Sequence, residues 1–342
     1  MTAYHNAPEE DIVLSSRVRL ARNYRDIPFA PAMDRDCADE TIRRARNAIN
    51  SSEEDLAFRT ILMADLSKDQ RIQLVERHLI SYDLLNFSDR SAALISSGET
   101  LSIMINEEDH LRIQGLLPGM QLERVAELAY GADDLLCAQF EYAFDSQLGF
   151  LTTCPTNTGT GMRASVMMHL PALSISKRIG NVVQSVGKLG LTVRGIYGEG
   201  SEAQGNLYQL SNQVTLGRSE DDIIKMLMGV AAQTAVNERA VRKKLMSQDR
   251  LALEDRLLRS LGIMWSSRLM DTTELMKRYS DLRLAASLGI IKLRLIELDR
   301  LMMDMQPASL NVSLGKELDE REQKAYRADA LRKRIPELMG NG

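Results

Sequence analysis

The chain changes character at Gly217. Before it lie short apolar segments and polar loops; beyond it helical patterns dominate to the end. Ser219-Glu220-Asp221-Asp222 has the form of an N-cap with acid in the first helical turn, which opens a long helix to about Gln248. Asp271-Thr272-Thr273-Glu274 opens another, and Leu318–Arg334 reads as a further helix that stops before Pro336. The expected organisation is a mixed α/β domain over 11–247 and a helical domain over 248–342.

Ahead of the change, Ala92–Asn106 reads as two short strands around a turn at Gly98, with Leu101, Ile103 and Ile105 alternating onto one face. Residues 176–190 read as a helix ending at Gly190. Thr192–Tyr197 reads as a strand, and Asn206–Leu216 contains another. The 26% charged and 44% hydrophobic residues are those of an ordinary globular protein. A formal charge of −4 favours neither nucleic acid nor an acidic membrane. No apolar run approaches the roughly 20 residues needed to span a bilayer. The N-terminus is polar, and Cys37, Cys137 and Cys154 form neither a metal spacing nor a disulfide framework. A cytoplasmic location and no resident metal are expected. Arginine supplies 32 of the 43 basic residues. Genome composition accounts for such a bias, yet arginine is also the side chain whose planar fork best grips phosphate.

Four segments carry arginines or acids on loops and strand ends. In Ser15-Ser16-Arg17-Val18-Arg19-Leu20-Ala21-Arg22-Asn23, an extended backbone points Arg17 and Arg19 the same way, as a phosphate clamp would need. Alone, this could also be a solvated basic strand. In Asn106-Glu107-Glu108-Asp109-His110, crowded carboxylates are costly unless a cation sits among them, such as a Mg²⁺-nucleotide or a guanidinium substrate, and Arg112 follows. A plain acidic turn is the alternative. The loop Cys154-Pro155-Thr156-Asn157-Thr158-Gly159-Thr160-Gly161-Met162-Arg163 has glycines that let backbone N–H groups approach a phosphate, but lacks the Lys-Ser/Thr ending of a P-loop. The fourth, Arg194-Gly195-Ile196-Tyr197-Gly198-Glu199, sets an arginine and a carboxylate at a strand end.

In this order, SSRVRLARN, NEEDH, CPTNTGTGMRASV and RGIYGEGSEAQGN, the last running on into LYQLSNQVTLGRSE, resemble the phosphagen (ATP:guanidino) kinase family. The stretch VGKLGLTVRGIYGEGSEAQGNLYQLSNQVTLGRSEDDI, and SDLRLAASLGII further on, are similar to its bacterial protein arginine kinase branch. The resemblance covers almost the whole chain. It implies an α+β fold: a phosphagen-kinase-like catalytic domain of antiparallel sheet flanked by helices, followed by a C-terminal helical domain. It implies transfer of the ATP γ-phosphoryl group to arginine side chains in proteins, with Mg²⁺ bound through the nucleotide.

The same resemblance assigns ATP phosphates to Arg17, Arg19, Arg112, Arg163 and Arg194, and a nucleotide contact to His78, which could otherwise be a helix-surface histidine. Ser16, Val18, Ala164, Ser165, Val166, Met167, Gly195, Ile196, Tyr197 and Gly198 fall in the matching nucleotide-binding segments. Glu108 matches the likelier base, Glu199 its partner in aligning the guanidine, and Cys154 the family's reactive cysteine. The implied partners are protein substrates bearing arginine, a zinc-binding activator and a Clp-type protease, in regulated proteolysis or a stress response. A homo-oligomer is expected, with no nucleic acid and no membrane.

Two departures matter. Creatine and arginine kinases carry a small helical domain before the SRVR strand; here SSRVR starts at residue 15, so a site open to a protein-borne side chain is expected. The branch's allosteric phosphoarginine pocket uses an Arg-Asp pair before an Arg-Ala. Here Arg327-Ala328 is preceded by Gln323-Lys324, so Lys324 is left to meet a phosphoryl group without the carboxylate. A basic surface helix is the alternative. For the whole chain, a kinase of free arginine or another small guanidine, or an inactive adaptor, stand as alternatives.

Overall fold

The computed structural model describes residues 7–50, 57–195 and 204–340. Its described strands are β1 (Val13–Arg22), β2 (Phe58–Leu62), β3 (Ala92–Ser96), β4 (Leu101–Ile105), β5 (Leu111–Pro118), β6 (Phe144–Asp145), β7 (Gly149–Phe150), β8 (Met162–His169), β9 (Leu191–Gly195) and β10 (Leu207–Asn212). The helices are α1 (Arg35–Asn50), α2 (Lys68–Glu76), α3 (Leu122–Cys137), α4 (Pro171–Ile175), α5 (Ile179–Gly187), α6 (Glu220–Gln248), α7 (Arg250–Ser266), α8 (Thr272–Ser287), α9 (Leu295–Asp304), α10 (Pro307–Leu314) and α11 (Glu320–Gly340). Among the described residues no helix is long and apolar enough to cross a membrane.

Eight strands form one antiparallel sheet in the order β2-β3-β4-β5-β1-β8-β10-β9, while β6 and β7 make a separate hairpin. Side chains alternate along each strand, and residues directly opposed on neighbouring strands share a face. On one face Val18, Leu20, Ile113, Ala164 and Val166 are fully buried in a core shared with α1, α3 and α6. A Cβ on Gly115 would stand 2.8 Å from the Val125 carbonyl oxygen, so α3 lies directly on β5. The opposite face is covered in two places. Ala93, Ile95 and Met104 pack with Leu74 and Val75 of α2. Leu14, Met167 and Leu207 join the core of the C-terminal helices.

Leu101, Ile103 and Ile105 do share a face, but Ser102 and Met104 between them are buried too. The alternation marked a face and not a solvent side, because α2 closes the other side. The helix expected over 176–190 is α5, Ile179–Gly187; Lys177, with φ 56°, separates it from α4, and Gly190 follows its end with φ 75°. The strand expected at Thr192–Tyr197 is β9, Leu191–Gly195; Ile196 and Tyr197 lie outside the described residues.

Ser219 caps α6 by accepting from the Asp222 amide at 3.1 Å. Asp271 caps α8 through the Glu274 amide at 2.7 Å. Asp319 and Glu322 cap α11 reciprocally, at 2.7 and 3.1 Å. That last helix does not stop before Pro336 but runs through it to Gly340. Proline removes one backbone donor there, while Leu331 and Ile335 remain fully buried and hold the helix in place.

Buried ion pairs tie the helices to the sheet domain. Arg242 bonds Glu238 at 2.8 Å within α6. The Glu238 carboxylate also accepts the amides of Ala172 and Leu173, which start α4. Arg283 of α8 bonds Asp299 of α9 at 3.0 Å and the Glu10 carbonyl at 2.7 Å.

Candidate functional site

The sheet face away from the α1–α3–α6 core carries the arginines. Arg19 on β1 stands opposite Arg163 on β8 and Gln114 on β5, and Arg17 opposite Ser165. Arg194 on β9 stands opposite Gln209 on β10, and Arg112 on β5 opposite Ala21. Alternation and register together place Arg17, Arg19, Arg112, Arg163 and Arg194 on one face of β1, β5, β8 and β9. The same geometry divides the expected nucleotide contact set by where its side chains point. Val18, Ala164 and Val166 turn to the apolar core. The Ser16 hydroxyl is used up by the Gly119 carbonyl and the Gln121 amide. Ser165 and Met167 remain on the arginine face, and both line the cavity described below.

Like charges directly opposed on a sheet are destabilising, and the arginine face shows the strain. Burial, followed by repulsion from Arg163 and Arg112, pulls the Arg17 guanidinium down to about 10. Burial and its arginine neighbours hold Arg19 well below its ordinary value. Arginine does not give up its proton in proteins, so these shifts measure a demand for negative charge. Arg19 Nε is buried without a hydrogen-bond partner among the described residues. Arg17 donates to the Gln209 side chain at 2.7 Å and to Ser165 Oγ at 3.4 Å. A polyphosphate would supply negative charge to Arg17 and Arg19 and an acceptor for Arg19 Nε, which has none among the described residues.

His78 is not on a helix surface. It follows the end of α2 with φ 60°, and its carbonyl accepts from Gln114 at 2.8 Å. Burial and the nearby Arg17 lower its imidazole to about 4, so it is neutral at pH 7. A cavity of about 420 Å³ opens beside it. Arg17, Met167 and Gln209 line it from the sheet, Thr100 from the β3–β4 turn, and Arg300 and Met303 from α9.

The acidic knot resolves into three roles. Glu107 is buried, bonds Arg112 at 2.5 Å and accepts from Ser81. Asp109 is buried and accepts from Asn23 and the Thr153 amide, each at 2.7 Å. His110 Nδ1 accepts from the Tyr24 amide, which puts its proton on Nε2, facing the Pro28 carbonyl. Only Glu108 faces the site, with its side chain 38% exposed. The cation expected among these acids is the chain's own Arg112, which also reaches Glu108 Oε2 at 3.2 Å. Asn157 lies 3.5 Å from the same oxygen, so among the described residues Oε1 is the oxygen left for a substrate. Burial outweighs Arg112 and raises the Glu108 carboxyl, making it a better base.

Cys154 precedes a short turn at Pro155–Asn157, with Sγ 3.0 Å from Thr156 Oγ1. The Thr215 hydroxyl donates to the carbonyls of Thr156 and Thr158 and clamps this loop. The tightness explains Gly159: a Cβ there would stand 2.4 Å from the Thr215 carbonyl oxygen, and its φ is +116°. Asn157 brings the Cys154 loop to Glu108. Gly195 ends β9; Gly198 and Glu199, with Ile196 and Tyr197, lie outside the described residues.

The C-terminal candidates do not converge on an open pocket. Arg327 is 1% exposed and donates to the carbonyls of Met305 and Met270, both at 2.8 Å. Lys324 pairs with Glu320 at 2.6 Å, and Ala328 is buried in the helical core.

Sequence reading missed Gln209 and Thr215. Both sit in LYQLSNQVTLGRSE, but only register and loop closure reveal them: Gln209 is 192 residues from the arginine it holds.

The family model for the ATP:guanido phosphotransferase C-terminal catalytic domain matches residues 40–241, and that for the protein-arginine kinase McsB C-terminal domain matches 250–341. A protein-arginine kinase of Caldanaerobacter subterraneus is 47% identical, covering 94% of this chain and 96% of that protein. Another, of Halalkalibacterium halodurans, is 45% identical over 96% and 93%. Among solved structures, lombricine kinase is 27% identical with a TM-score of 0.62, over 69% of this chain and 68% of its own. The duplicated taurocyamine kinase of Schistosoma mansoni is 26% identical with a TM-score of 0.60, over 69% and 34%.

Proposed function

The chain belongs to the ATP:guanido phosphotransferase family, and from that premise we propose that it is a kinase of arginine side chains in proteins, using ATP. The observation that carries this is the strained arginine face with one half-exposed carboxylate, Glu108, at its edge. Anion hunger and a base for a cationic acceptor are the two requirements of phosphoryl transfer to a guanidine. Full-length relatives named protein-arginine kinases support the protein substrate.

Mg²⁺-ATP, when bound, supplies the phosphoryl group and an ADP leaving group. Arg17, Arg19, Arg163 and Arg194 hold the phosphates and stabilise the charge that spreads over them in transfer. Arg112 holds Glu108 against Glu107 and adds positive charge. The acceptor guanidinium has a pKa above about 12 and must lose a proton as its nitrogen attacks; Glu108 takes that proton through Oε1. Glu199 is the second carboxylate that this reading gives to aligning the acceptor, and Cys154 orients it through its sulfur. The catalytic unit spans 11–247 and the helical region 248–342, in a cytoplasmic homo-oligomer. A zinc-binding activator and a Clp-type protease are the partners this reading adds, in protein turnover or stress response.

The test is incubation with γ-labelled ATP and either an unfolded arginine-rich protein or free arginine. Acid-labile, base-stable label on protein is the expected result. Label on free arginine alone would move the assignment to a small-guanidine kinase.

A further inference from the structure

Helix α10 begins without a cap of its own. Its N-cap residue Gln306 makes no capping bond, and Pro307 occupies the first helical position. The cap comes from α2. Glu76 accepts the Ala308 amide at 3.0 Å on one oxygen, and the Ser309 amide and hydroxyl at 2.8 Å on the other. Asp69 of α2 adds a bond from Asn311 at 2.9 Å. A carboxylate at a helix N-terminus satisfies orphan amides and complements the helix dipole.

Both ends of this clamp touch the nucleotide face. Glu76 is the last residue of α2, two before His78, whose turn borders the cavity. On the other side, α10 follows directly from α9, whose Arg300 and Met303 form the far wall of the same cavity. A smaller cavity of about 170 Å³ adjoins it, lined by Glu76 as well as Arg17, His78 and Met303. The main cavity has Arg17 and Met167 on its sheet wall and Arg300 and Met303 on its helix wall. Its volume lies in the range of small-molecule sites, and methionine sulfur packs well on an aromatic ring.

We propose that Glu76 is a positioning residue of the nucleotide site: by capping α10 it holds the α9 wall and the His78 turn around the nucleoside half of the donor, so that the C-terminal helices are part of that site. This rests on the reading that the triphosphate lies on the Arg17–Arg19 face. Linkage then requires that nucleotide binding and the seating of the C-terminal helices strengthen each other.

The test uses the full chain and two ligands, Mg²⁺-ATP and Mg²⁺-tripolyphosphate, which shares the phosphates but lacks the nucleoside. Glu76→Ala should raise KM and the dissociation constant for ATP about tenfold, the equivalent of about 1.4 kcal/mol. The change in kcat should be smaller, about twofold, and tripolyphosphate affinity should stay within about twofold. Glu76→Gln and Ser309→Ala, which each keep part of the cap, should give about two- to fourfold losses for ATP alone. If Glu76→Ala does not fold, these two milder variants carry the test. Unchanged ATP affinity, or equal losses for both ligands, would overturn the proposal. The dissociation constants are binding measurements, so a wild type that binds ATP but labels no protein would sink the functional reading and leave this one standing.

Discussion

Two arginine environments in this molecule, around Arg283 and around Arg17 and Arg19, behave in opposite ways. In the interior, burial works against the Arg283 charge, but Asp299 at 3.0 Å overrides it and holds the group above its ordinary value. On the sheet face, Arg17 and Arg19 are surrounded by arginines, and their values fall. Both sets are largely removed from water. The difference is whether the chain itself supplies the negative charge. Where a carboxylate bonds it, as at Arg283, the arginine joins elements; where none bonds it among the described residues, as at Arg17 and Arg19, the group is a candidate to meet a ligand's negative charge.

The largest effect should come from Glu108, the half-exposed carboxylate at the edge of the arginine cluster. Glu108→Gln should lower turnover by roughly 10²–10⁴-fold and leave ATP affinity nearly unchanged. A variant keeping more than about a tenth of wild-type turnover would remove Glu108 from the base role.

The contrast itself can be broken by paired substitutions. Arg283→Met should cost about 3–5 kcal/mol in urea unfolding, because it strands Asp299 in the interior. Arg19→Met should leave the ligand-free protein within about 1 kcal/mol of wild type, or more stable, while abolishing its stabilisation by Mg²⁺-ATP. If Arg19→Met destabilises as much as Arg283→Met, the two sets are not different in kind.

Cys154→Ser should slow turnover by on the order of tenfold to a hundredfold, more than it weakens ATP binding. Equal losses in both would make Cys154 a structural part of the loop that Thr215 clamps.

Histidines next to each set provide a finer probe. His78 beside Arg17 is lowered to about 4, and His169 beside Arg283 and Arg242 is lowered well below its usual value, both mainly by burial. In each case the unfolded chain takes up a proton first, so stability should fall as pH drops from about 6.5 toward about 4. His78→Gln should shallow that fall in thermal scans. Added tripolyphosphate should raise the His78 titration followed by NMR and leave His169 unmoved; parallel movement would mean that the anion does not bind on the Arg17 face.

The smallest response is expected at the C-terminal arginine. Nε and Nη1 of Arg327 are engaged with two carbonyls, its Nη2 is buried without a partner among the described residues, and Lys324 pairs with Glu320. Calorimetry with free phosphoarginine on the full chain should show no Arg327-dependent micromolar binding.

Local patterns were legible in the chain. Ser219 and Asp271 cap the helices they were expected to open, because a cap is an interaction over three residues. The two strands around Gly98 are present as β3 and β4. The helix over 176–190 is present as α5, whereas the stop before Pro336 was misread. Packing, not propensity, decides where a marginal helix breaks or a proline is tolerated.

The period of a strand by itself determined that Arg17 and Arg19 share a side, since alternate residues of an extended chain always do. Only the tertiary structure decided that Arg163, Arg194 and Arg112 join them, because cross-strand register is a property of the assembled sheet. It likewise decided which acids of the knot are buried scaffold and which one faces the site. It also decided that α10, 232 residues away, takes its cap from Glu76. Spacing along a chain reports direction over a few residues; burial and partnership between distant residues arise only when the layers close on one another.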